Sequence, residues 1–266
     1  MPLAVCATPI GNLEDVTLRV LRELSEADVV LCEDTRHTRK LLDRHGVAAQ
    51  LLSYHEHNEA SRTAEVLPRL RAGERMALVS DAGLPAISDP GARLIRAALE
   101  AGVEVSVLPG ASAVETALVG SGLVSERYQF LGYLPRGERA LLALAEELAR
   151  WPFAAVAFDS PHRLPASLRV LARVMPDRPA AVCRELTKRF EEVARGSVAE
   201  LASCVREIKG EITLVLGAGE VAGPDEAGAA YAVEGLLAAG VPRRLAAELV
   251  SRLTGVPRNR LYRKSL

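Results

Sequence analysis

The sequence predicts an α/β protein made of two α/β units and a helical tail. Three observations support this fold class. Short apolar runs that end in polar or Gly/Pro clusters alternate five times with helical patterns in the first 122 residues, which is typical of a parallel sheet wound with helices. A second set of strand patterns follows. After residue 228 only helical patterns remain.

Length and composition fit this class. The chain has 266 residues, 49% hydrophobic and 25% charged, which suits two domains of ordinary size or one large domain, with a sizeable core. No apolar run could span a membrane, and the amino terminus lacks a signal-peptide pattern, so we expect a cytoplasmic protein without membrane contact. The four cysteines are widely spaced, with no CxxC pair. We therefore expect reduced thiols and no bound metal.

The first domain, predicted over residues 1–113, should hold the parallel sheet. Asp15 or Thr17 is expected to cap its first helix, and the second helix is expected to begin at Thr38. The four helices should end near residues 27, 45, 72 and 101. The predicted strands are residues 3–7, 29–32, 51–53, 76–79 and 104–108.

The second domain, predicted over residues 114–217, should have a mixed sheet. Residues 218–228 are rich in Gly, Ala and acidic side chains and are expected to form a linker. Residues 229–266 predict helices only, with a turn at Gly255 before an Arg-rich helix. This layout is like a helix-turn-helix, although a helical pair capping the second domain would show the same turn. The predicted elements of the second domain are strands at 128–133, 153–158, 180–183 and 211–216 and a helix at 138–150.

Charge is concentrated in the tail, although the net charge is only −1. Residues 241–266 hold seven basic side chains and one acidic one, which leaves 26 basic and 33 acidic residues elsewhere. A basic tail on a mildly acidic body indicates contact with a polyanion, while a solvated helical face would have the same composition. The candidate contacts with nucleic acid are Arg258, Arg260 and Arg263.

Residues 80–91, SDAGLPAISDPG, carry the strongest signal for a ligand site. They lie between a buried strand pattern and a helix and contain two Asp, two Pro and two Gly. Gly83 and Gly91 permit backbone angles that a Cβ would block, while Pro85 and Pro90 stiffen the loop. The alternative is a tight connection with helix-capping side chains, which would need only one Asp and one Gly. Because ligands bind at the carboxyl ends of strands in open α/β sheets, we expect a ligand loop.

Motifs of several common enzyme classes are absent from the sequence. There is no GxxxxGK[ST] phosphate loop, and no GxGxxG follows the first strand, so nucleotide hydrolysis and ordinary dinucleotide binding are not supported. A GxSxG elbow and an HExxH pair are also missing. The remaining candidates are polar clusters at strand ends, which could line a single cleft between the two α/β units.

Eight segments of the chain occur in the same order in a known family: TPIGNL (8–13), EDTRH (33–37), the 80–91 loop, PGASA (109–113), FLGYLP (130–135), SPHR (160–163), RELTK (184–188) and KGE (209–211). On these motifs the chain resembles the cytidine 2′-O-methyltransferases of small-subunit ribosomal RNA, a branch of the tetrapyrrole methylase superfamily. The resemblance covers essentially the whole chain. Two positions depart from the usual pattern: Asp159, where Glu is more common, and Ala111, where Pro is frequent.

The resemblance implies two α/β domains of the tetrapyrrole methylase type, S-adenosylmethionine in the cleft between them, small-subunit ribosomal RNA as substrate, and a homodimer. Such a cofactor needs acceptors and backbone amides for its polar ends and an apolar slot for adenine. Asp81 could be the acceptor, or a carboxylate that braces its loop, and Asp89 is expected to be structural. The candidate cofactor-binding residues are Ile10, Asp81, Leu84, Ser112, Ala113, Phe158, Leu186 and Glu211.

Methylation of a ribose 2′-OH requires a positioned hydroxyl and a group that receives its proton. Two clusters are candidates: Glu33 and Asp34 with Arg36, and Glu185 with Lys188. The sequence leaves the choice open, since salt bridges or caps at strand ends would explain each cluster equally well. His162 and Arg163 are further candidate RNA contacts.

Two other functions compete with RNA methylation. A methylase of the same fold acting on a tetrapyrrole or a protein side chain would explain the cleft but not the basic tail. A non-catalytic RNA-binding protein would explain the tail but not the strand-end clusters.

Overall fold

The computed structural model describes residues 2–206, 209–219 and 226–264. The chain forms two compact units, a larger one that contains both β-sheets and a smaller one that contains the C-terminal helices. Within the described residues, no helix is both long and apolar enough to cross a membrane.

The first sheet has five parallel strands in the order β3-β2-β4-β1-β5. Every residue of β1, β2 and β4 is buried, because helices cover both faces of the sheet. The strands are β1 (Leu3–Cys6), β2 (Val29–Cys32), β3 (Leu51–Ser53), β4 (Met76–Val79) and β5 (Val105–Leu108). The parallel sheet predicted from the alternating pattern is confirmed.

Four helices connect these strands: α1 (Leu18–Glu26), α2 (Thr35–Arg44), α3 (Glu59–Arg71) and α4 (Ala92–Glu100). Hydrophobic residues of α1 and α2 pack on one face of the sheet, and those of α3 and α4 pack on the other. Thr17 caps α1 as one of the two expected residues, with its hydroxyl accepting from the Val20 amide. The start predicted for the second helix is wrong. Asp34 caps α2 and makes it begin at Thr35 rather than Thr38.

The second sheet has the order β6-β7-β10-β8-β9 and is mixed, as predicted. β6 and β7 are parallel, whereas β10 is antiparallel to both of its neighbours and β9 is antiparallel to β8. The strands are β6 (Tyr128–Tyr133), β7 (Ala154–Asp159), β8 (Pro179–Arg184), β9 (Glu192–Ser197) and β10 (Ile212–Leu216). β9 was not predicted, because this half-exposed edge strand lacks a clear apolar alternation.

The helices of the second sheet are α5 (Ala113–Ser121), α6 (Glu138–Ala149), α7 (Leu164–Ala172) and α8 (Val198–Cys204). Neither α7 nor α8 was predicted. α5 follows β5 in the chain but packs on the second sheet, where Ala117 and Leu118 join the core with Val156 and Ala181. This change of sheet agrees with the boundary predicted at residues 113 and 114, and the division into domains itself stays a prediction.

The direction of β10 determines which of its ends meets the other strand ends. Because β10 is antiparallel to β7 and β8, Ile212 at its start pairs with Asp159 and with Arg184 at their ends. Glu211 therefore lies at the same edge of the sheet as the clusters that follow β7 and β8.

The C-terminal unit is a small bundle of α9 (Glu226–Ala238), α10 (Arg243–Thr254) and α11 (Arg258–Lys264). Its apolar residues, among them Val233, Val250 and Leu261, form a core of their own. The turn predicted at Gly255 is present, with φ 74° in the left-handed region. The end of the predicted linker is helical, since α9 begins at Glu226; residues 220–225 of that linker lie outside the described residues.

Buried Arg178 joins helix α6 to the residue before β7 and the residue after β10. Its side chain donates to the carbonyls of Gly217 (2.9 Å), Leu148 (2.5 Å) and Phe153 (2.9 Å), and the residue is only 6% exposed. Burial lowers the pKa of the guanidinium. Loss of the guanidinium would take these donors away from all three carbonyls.

We expect Arg178→Met to destabilise the protein by roughly 3 kcal/mol or more, because it removes hydrogen-bond donors from buried carbonyls. Arg173→Met is the matched control. That residue pairs with Glu138 at 2.5 Å on the surface, so its loss should cost less than about 1 kcal/mol. Denaturant unfolding of both variants measures the difference, and equal losses would contradict the role of Arg178.

Candidate active site

The strand ends of the two sheets enclose a cavity of about 850 Å³. The loops after β1, β2, β4 and β5 line one side, and the ends of β7 and β8, the start of β10 and residues of β6 line the other. A cavity of this size suits a nucleoside-sized ligand. It is therefore the candidate active site.

All eight residues predicted to bind a cofactor line this cavity: Ile10, Asp81, Leu84, Ser112, Ala113, Phe158, Leu186 and Glu211. Glu33 lines it as well. The other predicted catalytic residues, Asp34, Arg36, Glu185 and Lys188, and the predicted RNA contacts His162 and Arg163 are not part of its lining. The structure thus brings the expected cofactor residues together and separates them from most of the expected catalytic ones.

Backbone strain is concentrated in two loops of this site. Ala86 (φ 71°) and Ser88 (φ 62°) follow β4, and Glu185 (φ 51°) and Thr187 (φ 64°) follow β8. Within the described ranges, no other non-glycine residue has a positive φ. Such angles cost of order 1–3 kcal/mol each and persist where the surrounding structure fixes them. Both loops are therefore held in one conformation.

Hydrogen bonds brace the 80–91 loop against its neighbours. The Thr8 amide donates to the Gly83 carbonyl at 2.8 Å, and the Gly83 amide donates back to Thr8 at 3.1 Å. The Asp34 amide donates to the Asp81 carboxylate at 3.1 Å. Asp81 thus braces the loop and also lines the cavity, so both roles considered from the sequence are open to it.

Two carboxyl groups of the cavity, those of Asp89 and Glu33, have raised pKa values. Burial raises the pKa of Asp89 to about 6, and the nearby charge of Glu33 adds to the shift. Burial and the charge of Asp81 likewise raise the pKa of Glu33. A carboxylate with a raised pKa accepts a proton more readily near neutral pH. Asp89, expected to be structural, is therefore a candidate functional residue.

Asp34 and Arg36 form a closed pair outside the cavity lining. The carboxylate of Asp34 accepts from the Arg36 amide at 2.8 Å and from its guanidinium at 3.1 and 2.7 Å. Those hydrogen bonds hold the pKa of Asp34 well below its usual range. Asp34 is therefore a weak proton acceptor, and its visible role is to cap α2.

Glu185 and Lys188 are also engaged with each other. Lys188 Nζ lies 2.9 Å from Glu185 Oε1 and 3.0 Å from Glu211 Oε2. The Glu211 amide donates to Glu185 at 2.9 Å, and this bond together with Lys188 lowers the pKa of Glu185. Burial alone would lower the pKa of Lys188, but its bonds to the two carboxylates raise it. The cluster ties the β8 loop to the start of β10.

Aromatic side chains form the wall that the second sheet contributes. Phe158 packs edge-on against Phe130, with ring centroids 5.0 Å apart, and against Tyr133 at 5.5 Å. Tyr128 donates to Glu115 at 2.7 Å. The hydroxyl of Ser112 also donates to Glu115 and makes no capping bond to α5. Tyr128, Tyr133 and Glu115 were not predicted. The aromatic residues of the β6 segment YQFLGY were a signal that could have pointed to the two tyrosines.

Arg163 is occupied inside the protein. Its guanidinium lies 2.6 Å from the carboxylate of Asp159 and donates to the Leu134 carbonyl at 3.1 Å. Asp159 is 3% exposed and also accepts from the Ser167 hydroxyl at 2.6 Å. Arg163 therefore neutralises a buried charge, whereas His162 is exposed. Residues 2–206, 209–219 and 226–264 contain no group of side chains arranged to hold a metal ion.

Fold and site together define a class of protein. Residues 2–202 match the tetrapyrrole (corrin/porphyrin) methylase family. A solved structure with the same fold is uroporphyrin-III C-methyltransferase from Thermus thermophilus complexed with S-adenyl homocysteine, at TM-score 0.58 and 21% identity over 82% of this chain and 97% of that one.

Sequence identity to known proteins places the chain in one group within this family. The chain is 45% identical to ribosomal RNA small subunit methyltransferase I of Micromonospora olivasterospora over 98% of this chain and 85% of that protein. The protein of that name from Thermotoga maritima is 43% identical over 80% of this chain and 97% of its own length. The chain belongs to the tetrapyrrole methylase family and, within it, to the group of ribosomal RNA small subunit methyltransferases I.

The raised pKa of Asp89 makes stability depend on pH. In the unfolded chain this carboxyl ionises near its ordinary pKa of 3.8, and in the folded protein near 6, so its ionisation destabilises the fold as pH rises through 6. We expect Asp89→Asn to raise stability at pH 7.5 by about 1–2 kcal/mol, with the gain vanishing below pH 4. Urea unfolding across this range, with the exposed-site variant Asp177→Asn as control, measures it. A variant less stable than wild type at every pH would show that Asp89 is not destabilised by burial.

Proposed function

We propose that this protein transfers a methyl group from S-adenosylmethionine to the ribose 2′-OH of a cytidine in 16S ribosomal RNA. The observation that carries the proposal is the 850 Å³ cavity in a chain related over nearly its whole length to ribosomal RNA small subunit methyltransferases I. Mapping ribose methylation on 16S ribosomal RNA from cells with and without the protein tests it. An unchanged methylation pattern would exclude this substrate.

The chemistry of the cavity suits S-adenosylmethionine, which supplies an electrophilic methyl group on a sulfonium. Asp81 offers an acceptor for an amine or hydroxyl. Amides at the start of α5, at Ser112 and Ala113, offer donors. The apolar walls are Ile10, Leu84, Phe158 and Leu186, and Glu211 stands at the rim.

The transfer forms a bond between the ribose oxygen and the methyl carbon and breaks the bond between that carbon and sulfur, while the hydroxyl proton needs an acceptor. Of the acceptors considered from the sequence, Asp34 has its pKa lowered by hydrogen bonds from Arg36, and Glu185 has its pKa lowered by the Glu211 amide and by Lys188. Glu33 lines the cavity and has a raised pKa. Glu33, coupled to Asp89, is therefore the acceptor that we propose.

Contacts with RNA are proposed at the exposed cations. Arg36 has a side chain 88% exposed, and His162 is exposed near the end of β7. In the tail, Arg258 and Arg260 are exposed and Arg260 pairs with Glu226; the side chain of Arg263 lies outside the described residues. Lys and Arg side chains that neutralise phosphates release counterions and so favour RNA binding.

A homodimer that acts in the cytoplasm completes the proposal. Large hydrophobic side chains are unusually exposed between residues 99 and 124: Leu99 by 59%, Val107 by 53%, Val119 by 70% and Val124 by 60%. Val107 lies on β5, an edge strand of its sheet. Exposed apolar side chains of this kind are typical of surfaces that another chain covers. The ribosomal substrate indicates the cytoplasm.

We expect Asp81→Asn to weaken binding of S-adenosylmethionine at least tenfold, because the charge is lost while an oxygen remains to accept from the Asp34 amide. Asp81→Ala should abolish binding, since it removes the acceptor and the brace together. Calorimetric titration measures both, with the surface variant Asp177→Ala as control. Wild-type affinity in Asp81→Ala would remove this residue from the cofactor site.

We expect Glu33→Gln to lower turnover about a hundredfold or more at saturating RNA and cofactor, while the affinity for S-adenosylmethionine changes little. Asp34→Asn keeps a capping oxygen and should retain near wild-type turnover. Wild-type activity should rise with pH as Glu33 ionises, in a range above that of an ordinary Glu because burial and the charge of Asp81 raise the pKa of Glu33, and this rise should be absent in Glu33→Gln. An inactive Asp34→Asn variant together with an active Glu33→Gln variant would identify Asp34, and not Glu33, as the proton acceptor.

A further inference from the structure

A second pocket lies between the loops that follow β1 and β8. It has a volume of about 520 Å³ and is lined by residues of the loop after β1, the end of α2 and the loop after β8. Its lining holds three cations, Arg44, Lys188 and Arg189, and one carboxylate, that of Glu14. Lys188 is held by Glu185 and Glu211, so Arg44 and Arg189 are the cations that an anion would meet. Glu14 pairs with Arg44 at 2.8 Å, with side chains 68% and 58% exposed. An exposed pair of this kind is weak, and an anion could compete for Arg44.

A line of cations leads from the cavity to this pocket along α2. Arg36, Arg39, Lys40 and Arg44, which we call the α2 strip, are all exposed, and Thr38, Leu41 and Leu42 form the buried face. Positions three, four and eight residues apart lie on one side of a helix. Arg36 and Arg44 pair with Asp34 and Glu14 on the surface. Arg39 and Lys40 have no carboxylate partner within the described part of the chain, and Asp43 is the one acidic residue within α2.

Both ends of helix α2 are held by contacts of the residues that flank it. At its start, the Asp34 amide is bonded to Asp81, which lines the active-site cavity. At its end, Arg44 lines the second pocket, and His45 Nε2 lies 2.9 Å from the Leu13 carbonyl. Helix α2, which carries the strip, therefore runs from beside the cavity to the second pocket.

An exposed aromatic ring stands beside the second pocket. Phe190 is 66% exposed, and the guanidinium carbon of Arg189 lies 5.6 Å from the centre of its ring. Unpaired bases of RNA bind by stacking on aromatic and guanidinium planes, while neighbouring cations bind the phosphates. Phe190 and Arg189, next to the end of the α2 strip, could stack an RNA base and bind a phosphate.

We propose that the unpaired RNA strand beside the target nucleotide runs along the α2 strip, places a phosphate in the pocket of Arg44 and Arg189, and stacks a base on Phe190. This inference rests on the proposed function. It extends that function by assigning a docking surface outside the cavity, on residues other than the tail.

Two kinds of variant test the two kinds of contact. Arg39→Gln/Lys40→Gln should weaken binding of unmethylated 16S ribosomal RNA tenfold or more. The variant should also make the dependence of binding on log salt shallower by up to about 1.4, which is 0.7 for each phosphate that the protein no longer neutralises. Phe190→Ala should weaken binding roughly five- to a hundredfold with the salt slope unchanged, and Phe190→Trp should restore it. All variants should bind S-adenosylmethionine as wild type does.

Arg71→Gln/Arg96→Gln is the matched control, since it removes two exposed cations from α3 and α4 on the opposite face of the sheet. RNA affinities of the strip and Phe190 variants equal to the control would overturn the inference. So would a Phe190→Ala variant that alters the dimer in sedimentation but not RNA binding, because a second copy would then cover this surface. Failure of the proposed function has a separate signature, namely wild-type protein that does not methylate the RNA.

Discussion

The active site depends on the close approach of two loops that belong to different sheets. Gly11, after β1, lies so close to the loop after β8 that a Cβ there would be 2.8 Å from the Leu186 carbonyl and 2.7 Å from Thr187 Oγ1. The Asn12 amide donates to the same Thr187 hydroxyl at 3.0 Å. Ile10 and Leu186, on either side of this contact, both line the cavity. A residue with a Cβ at position 11 would push these two loops apart, so glycine there lets the loops after β1 and β8 enclose the cavity.

The same constraint explains why strain is tolerated in the β8 loop. Glu185 and Thr187 adopt left-handed angles because one side chain must reach the start of β10 while the other faces Asn12. Gly210 is also placed where the Glu185 side chain leaves little space, since a Cβ there would be 2.5 Å from the carboxylate of Glu185. A loop held from both sides presents a fixed wall to a ligand, so little ordering remains to be done when the ligand binds.

The parallel sheet and the residues that line the cavity could be predicted from sequence because both are encoded locally. Buried strands such as Met76–Val79 are continuous apolar runs, and the residues after them share one edge by topology. The proton acceptor could not be predicted in this way. Glu33 and Asp34 are neighbours in the chain, yet one enters the cavity and the other caps a helix, and burial and pairing appear only in three dimensions. The pairing of Arg163 was partly predictable. Its spacing of four residues from Asp159 can be read from the sequence, but the burial of Asp159 cannot.

The separate core of the C-terminal bundle has an evolutionary consequence. Val233, Val250 and Leu261 are buried against other residues of that bundle, so its folding draws on its own sequence. The Thermotoga maritima relative aligns over 97% of its length with only 80% of this chain. A self-contained module can be appended, exchanged or shed by a lineage while the methylase architecture persists. Sequence change inside this module therefore leaves the packing of the two sheets and the geometry of their strand ends untouched.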